Sequence, residues 1–363
     1  MTLTPEKLTD CRFCSLVSKA NGEDPIGSAP LAQHWLVVEL PQPWSAQVFQ
    51  EDPSVQPVFA LIKTLVLRGI KLRPIAIAPD RAYSQPGYRR VLYYRQATSV
   101  FSEFEAHEYL VPEAEVMPLA IALLKRVGER GAIASTNDLA PFEPYRQINQ
   151  TRDLLICTHG NVDAACARFG FPIYDKLRQD FSGDRLRIWR CTHFGGHQYA
   201  PTLVDLPSGR YWGHLELEML DALVHQQGTP SDLYAFYRGW AGLGKFEQIA
   251  EREIWMKEGW DWLSYAKRGK VVKLGEPQLK SLLRRLLQWI PSQRLQLFLE
   301  HSKQDAKWAV VRIEYQSMDG LTMGVYQGRV ALSGQILTAI RSAKQMDLVP
   351  VNQYQVTELI RLV

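Results

Sequence analysis

The 363-residue sequence has little cysteine, little surplus charge and no long apolar run. Its five cysteines are an odd number scattered over a long chain, which argues against a secreted disulfide framework and for thiols kept reduced. Basic side chains number 42 and acidic ones 38, and a net charge of +4 gives no case for bulk nucleic-acid binding. No stretch of about eighteen apolar residues occurs, so no membrane span is expected. The opening MTLTPEKLTDC lacks the apolar segment of a signal peptide. A soluble, cytoplasmic protein is the expectation, and the length favours two or three domains.

What the sequence does hold is a concentrated donor set. Cys157 and Cys166 enclose eight residues, and His193 and His197 flank the glycine pair of CTHFGGH. Two thiolates and two imidazoles are what a zinc ion or a small iron-sulfur cluster requires. Two buried cysteines and two structural histidines could also fall together by chance. The glycines weigh against that, because they let backbone approach a bulky inorganic group and adopt positive φ around it.

Periodicity orders the surrounding elements. Residues 153–157 (DLLIC) read as a strand buried on both faces, 162–180 as a helix interrupted by Gly170 and Pro172, and 185–191 (RLRIWRC) as a second strand. A hairpin over 203–206 and 210–214 and a helix over 215–225 follow. This βα, β, ββα order is that of a thioredoxin-like domain, with all four donors at one sheet end. Strands at 35–40, 73–78 and 91–95 and helices at 55–68 and 118–127 suggest an earlier copy without ligands. Beyond residue 230 an α+β region is expected, with a Trp-rich helix over 246–262, a second helix over 277–290 and strands over 308–315 and 322–332. The divisions are 1–148 for a ligandless thioredoxin-like pseudo-repeat, 149–230 for a thioredoxin-like ferredoxin domain, and 231–363 for the C-terminal α+β region.

The stretches CTHGNVDAACARFG and CTHFGGHQYAPTLVDLPSGRYWGHL resemble the signature of the sucrase/ferredoxin-like family of thioredoxin-like ferredoxins. APLAQHWLVVELPQPWS and EREIWMKEGWDWL resemble that family's flanking regions. The resemblance implies a 2Fe-2S cluster held by Cys157, Cys166, His193 and His197, in an electron carrier serving redox partner proteins rather than a stand-alone enzyme. Neutral imidazoles in place of two thiolates would make reduction easier, toward roughly −150 to +300 mV, and could couple electron to proton transfer. A structural zinc site with the same ligands is the alternative. The glycosidase role suggested by the family name has no identifiable carboxylate pair behind it.

Other residues invite separate readings. Cys191 reads as a buried strand thiol, with substitute ligand as the rival. His159 reads as a surface-loop residue that could otherwise donate to sulfur, and Arg190 as either a solvated charge or a positive neighbour of the cluster. Cys11 and Cys14 have the CxxC spacing of a thiol oxidoreductase, although ordinary free thiols are the simpler reading. Lys280, Arg284 and Arg285 lie on a basic helix that reads as a solvated face or a dock for an acidic partner.

Overall fold

The structure, a computed structural model, describes residues 13–128, 138–148, 151–275 and 306–362. Cys11, the helix expected over 277–290 and its Lys280, Arg284 and Arg285 lie outside the described residues.

The chain is mixed α/β, with one large sheet and one smaller four-stranded sheet. The first half of the large sheet contains β1 (His34–Glu39), β2 (Leu72–Ile77), β3 (Tyr88–Arg95), β4 (Glu105–Pro112) and the short β5 (Arg146–Gln147). The second half contains β6 (Arg152–Cys157), β7 (Leu186–Cys191), β8 (Leu203–Leu206), β9 (Arg210–Trp212) and β10 (Tyr237–Trp240). Their order is β10-β9-β8-β6-β7-β2-β1-β3-β4-β5. β1 runs parallel to β2 and antiparallel to β3, and β6 runs parallel to β7 and antiparallel to β8. The halves join through a short antiparallel pairing in which Ile77 faces Cys191.

Alternation explains how central strands are buried on both faces. Trp35 and Val37 of β1 enter the larger core, while Leu36 and Val38 pack under two helices, α3 (Gln56–Leu67) and α4 (Val116–Gly128). In chain order the remaining helices are α1 (Cys14–Ala20), α2 (Val48–Glu51), α5 (Ala164–Asp180), α6 (Leu220–His225) and α7 (Lys245–Glu258). Helix α7 carries Ile249, Ala250, Ile254 and Trp255 into the same core as the small sheet. That sheet is an antiparallel meander of β11 (Ala266–Leu274), β12 (Trp308–Gln316), β13 (Met323–Ala339) and β14 (Leu348–Arg361).

Three boundaries differ from the sequence reading. Helix α5 is unbroken through Gly170 and Pro172, rather than interrupted there. Proline removes one backbone donor, but the surrounding helix is held by the burial of Ile173 and Leu177. The Trp-rich helix stops at Glu258, where Gly259 takes φ 77° and a 3-10 turn over Trp260–Ser264 follows. The helix expected from 215 begins as a 3-10 turn at Leu217–Met219 before α6.

Gly170 also sets how closely α5 approaches the end of β6. A Cβ there would stand 2.2 Å from the carbonyl oxygen of Cys157. Alanine gains about 1 kcal/mol of helix propensity, whereas overpacking against fixed backbone costs roughly 1–3 kcal/mol or more. Because the obstacle is backbone, the cost falls in the upper part of that range, and Gly170→Ala is expected to destabilise the fold by roughly 1–2 kcal/mol. A lowered urea midpoint checks this, and an unchanged or raised midpoint would show that α5 can move away freely.

Candidate metal centre

The ends of the parallel pair β6 and β7 bring Cys157 opposite Cys191, and the chain then departs into two loops. After β6, Asp163 caps α5 by accepting a hydrogen bond from the Ala165 N–H at 2.9 Å. This cap starts the helix so that Cys166 falls in its first turn. After β7, Thr192 ties the loop to β2: its N–H donates to Ala76 O at 2.8 Å, and its Oγ1 accepts from Ala76 N–H at 2.9 Å. Gly195 and Gly196 then take φ 101° and 82°, a turn that residues with a Cβ rarely make.

These elements assemble two neighbouring groups. Nδ1 of His193 lies 3.9 Å from Sγ of Cys157 and 3.8 Å from Sγ of Cys166. The donor atoms of these three residues all lie within 4.8 Å of one another. His197 Nδ1 instead lies 3.3 Å from Asp163 Oδ2 and 3.5 Å from Cys14 Sγ, in a second group. The two imidazoles are adjacent, with ring centroids 5.3 Å apart. Both thiols are fully buried, whereas both histidines are partly exposed.

The thiols are electrostatically unlike. A hydrogen bond with Cys166, reinforced by His193, holds Cys157 well below the ordinary thiol range. The same pairing, together with burial, pushes Cys166 up. Cys14 is pushed up to about 11, mainly by burial, with Ser342 opposing. Burial lowers His197, against the pull of Asp163.

Arg238 supplies positive charge. It is 1% exposed and donates to Gly195 O at 3.0 Å, Ser28 Oγ at 3.0 Å and Ser28 O at 3.1 Å. No carboxylate lies within ion-pair distance of it among the described residues. Burial lowers its affinity for a proton, while Tyr199, Tyr211, Cys157 and Cys166 act in the opposite sense. A Cβ on Gly196 would stand 2.3 Å from its Nη2, so glycine is what lets loop and guanidinium meet. Soft sulfur donors, imidazoles and a buried cation form a chemically consistent holder for a metal-containing group.

The secondary residues fall differently. Cys191 is a buried strand thiol, raised by burial and outside both groups. His159 is not on the surface: it is 4% exposed, with Nε2 2.9 Å from Ser45 O and Nδ1 accepting from the His193 N–H at 3.3 Å. Residues 44 and 45 of the other half cover it, a contact no local pattern could foretell. Arg190 is half-buried over the rings of Phe171 and Tyr174. Cys14 is buried at the start of α1. The sequence reading missed Asp163, Ser342 and Arg238; only Asp163 had a local signal, as a helix cap.

Beside this region, His214 is buried at φ 54°, its Nε2 3.1 Å from Ser18 Oγ and its Nδ1 without a hydrogen-bond partner among the described residues. Burial, with Lys19 and Arg238 nearby, lowers its pKa to about 3. A neutral histidine depressed in the fold contributes stability that is fully present above its unfolded pKa of about 6.5 and is lost as pH falls toward 3. His214→Asn, which tolerates positive φ, is expected to flatten this loss by up to about 1.4 kcal/mol per pH unit. Parallel wild-type and variant urea curves from pH 7.5 to 5 would contradict it.

No helix among the described residues is long and apolar enough to cross a membrane. A family model described as sucrase/ferredoxin-like matches residues 25–239, a span containing Cys157, Cys166, His193 and His197. No curated protein and no solved structure matches the chain.

Proposed function

The chain belongs to the sucrase/ferredoxin-like family, and from that membership we propose that it is an electron-transfer protein holding a 2Fe-2S cluster on Cys157, Cys166, His193 and His197. The observation that carries this reading is Arg238, a buried cation with no carboxylate partner among the described residues, hydrogen-bonded through Gly195 O to the loop that bears His193 and His197. The partners of Arg238 are neutral, three oxygens and the rings of Tyr199 and Tyr211, so its charge is solvated but not neutralised and the site suits an occupant that brings negative charge. A bound cluster supplies one-electron redox chemistry, and the protein supplies ligands, burial and hydrogen bonds.

Each of three regions has a defined part in this reading. Residues 1–148 are a ligandless thioredoxin-like repeat, 149–230 the thioredoxin-like ferredoxin domain, and 231–363 the C-terminal α+β region. The matching strand directions around β1 and β6 support the repeat. The first half acts as a platform, since Ser45, Trp44 and Ala76 anchor the loops bearing the ligands. Arg238 favours the electron-rich state of a group beside it, and the partly exposed histidines face cytoplasmic redox partner proteins.

Zinc is the second reading, favoured by the 3.8 and 3.9 Å sulfur-to-nitrogen spacings, which suit donors sharing one tetrahedral ion. His193→Cys and His197→Cys variants test the imidazole ligands of the cluster reading. Each added thiolate brings negative charge that disfavours reduction, so iron-loaded variants are expected to have midpoint potentials below wild type. Unchanged potentials in fully assembled variants would remove these histidines from the ligand set.

A further inference from the structure

Two side chains from segments remote in sequence approach Nδ1 of His197, Cys14 at the start of α1 and Asp163 at the cap of α5, and both are in turn tied to Ser342 in the turn between β13 and β14. Asp163 is 5% exposed and its two oxygens are almost fully subscribed. Oδ1 accepts from Ser342 Oγ at 2.6 Å and Ala165 N–H at 2.9 Å. Oδ2 accepts from Ser342 N–H at 2.9 Å and faces His197 Nδ1 at 3.3 Å. Although burial opposes ionisation, these donors hold Asp163 below the usual carboxylate range.

An ionised carboxylate can only accept. If Nδ1 of His197 carried no proton, its electron-rich nitrogen would lie 3.3 Å from a negatively charged oxygen. With the proton on Nδ1, the ring turns its positive N–H edge toward the carboxylate 3.3 Å away, an electrostatic attraction rather than an aligned hydrogen bond, and the ring's lone pair lies on Nε2. Cys14 Sγ, at 3.5 Å, is the other neighbour of Nδ1, but a thiol is a weak donor and acceptor beside a carboxylate.

We infer that Asp163, fixed by Ser342, is a positioning residue that keeps the proton on Nδ1 of His197 and presents Nε2 as its ligating atom. The inference rests on the proposed ligand role of His197 and names what aims it. It also makes the turn after β13, outside the span matched by the family, part of the centre's supporting structure. His193 is different: its Nδ1 faces the thiols. The two imidazoles thus present different nitrogens.

The test uses the full chain labelled with ¹⁵N-histidine. In metal-free protein at neutral pH, NMR should show His197, assigned through His197→Gln, with its proton on Nδ1. Asp163→Ala and Ser342→Ala should each move population to the Nε2–H form, whereas Cys14→Ala should not. After reconstitution with iron and sulfide and one-electron reduction with dithionite, which makes the cluster paramagnetic, pulsed EPR should find Nε2 of His197 coupled to the centre, and Asp163→Ala should lose iron about tenfold faster or more. An Nε2–H tautomer in wild type, a tautomer insensitive to both Asp163→Ala and Ser342→Ala, dependence on Cys14 instead, or coupling through Nδ1 would overturn the inference. Loss of a helix cap costs about 0.5–2 kcal/mol; should Asp163→Ala fail to fold, Ser342→Ala decides. Wild type that takes up no iron would defeat the electron-transfer reading, while the metal-free tautomer would still decide the positioning role.

Discussion

Cys157→Ser and Cys166→Ser proteins, purified without air, are expected to retain less than about a tenth of the wild-type iron. Loss of a residue that merely orients a ligand already weakens metal binding about 10–100-fold, so loss of the ligand itself should cost at least as much. Serine matches cysteine in shape, but its hydroxyl neither ionises readily nor offers a soft donor to iron. Cys191→Ser is the internal control, because Cys191 is equally buried and faces Cys157 across the strand pair, yet lies outside both donor groups. It should keep its iron. Equal iron in all three variants would remove Cys157 and Cys166 from the site, and loss in Cys191→Ser alone would place the ligand on β7. Measured iron and sulfide per chain decide between these patterns.

The second large effect concerns stability. Asp153 of β6 is wholly buried and accepts from Tyr94 Oη at 2.7 Å, Trp189 Nε1 at 2.7 Å and Arg187 Nε at 2.8 Å. Arg187 reaches on to Glu108 at 2.9 and 3.0 Å, and Glu108 also pairs with Arg90. The network therefore crosses the join between the two halves of the large sheet. Asp153→Leu strands a buried guanidinium and two aromatic donors, at an expected cost of about 3–5 kcal/mol. Its remaining bonds to Glu108 place the value toward the lower end. Adding Arg187→Met should recover part of the loss, because the positive charge left in excess by the loss of Asp153 goes with it and Glu108 keeps Arg90. Urea unfolding checks both variants. A loss below about 1 kcal/mol for the single variant would mean that solvent or local rearrangement supplies the missing partners.

How much of this was legible in the sequence depended on how local each cause was. DLLIC and WLVVEL announce buried central strands because their side chains meet apolar neighbours on both faces, and β6 and β1 lie within a residue of those runs. The continuity of α5 was hidden, since Gly170 and Pro172 are breakers by propensity, whereas the close approach to Cys157 O rewards the glycine and buried Ile173 and Leu177 hold the helix. Strand β11 reads as a merely basic stretch, AKRGKVVKL, because its alternation is set by pairing with β12. At the candidate centre, Cys157, Cys166 and His193 were visible from donor type and spacing. The Asp163, Cys14 and Ser342 surroundings of His197 were not, because Cys14 and Ser342 are separated by 328 residues and only the tertiary fold brings them together. His159 was misread for the same reason, its cover coming from residues 44 and 45 of the other half.

The proposed cluster is most directly tested by measuring iron, acid-labile sulfide and zinc on one sample of protein purified under strict exclusion of air. About two iron and two sulfide per chain are expected, the composition of a 2Fe-2S centre, with little zinc. Stoichiometric zinc without iron or sulfide in that same material would contradict it and leave a structural metal site held by the same residues.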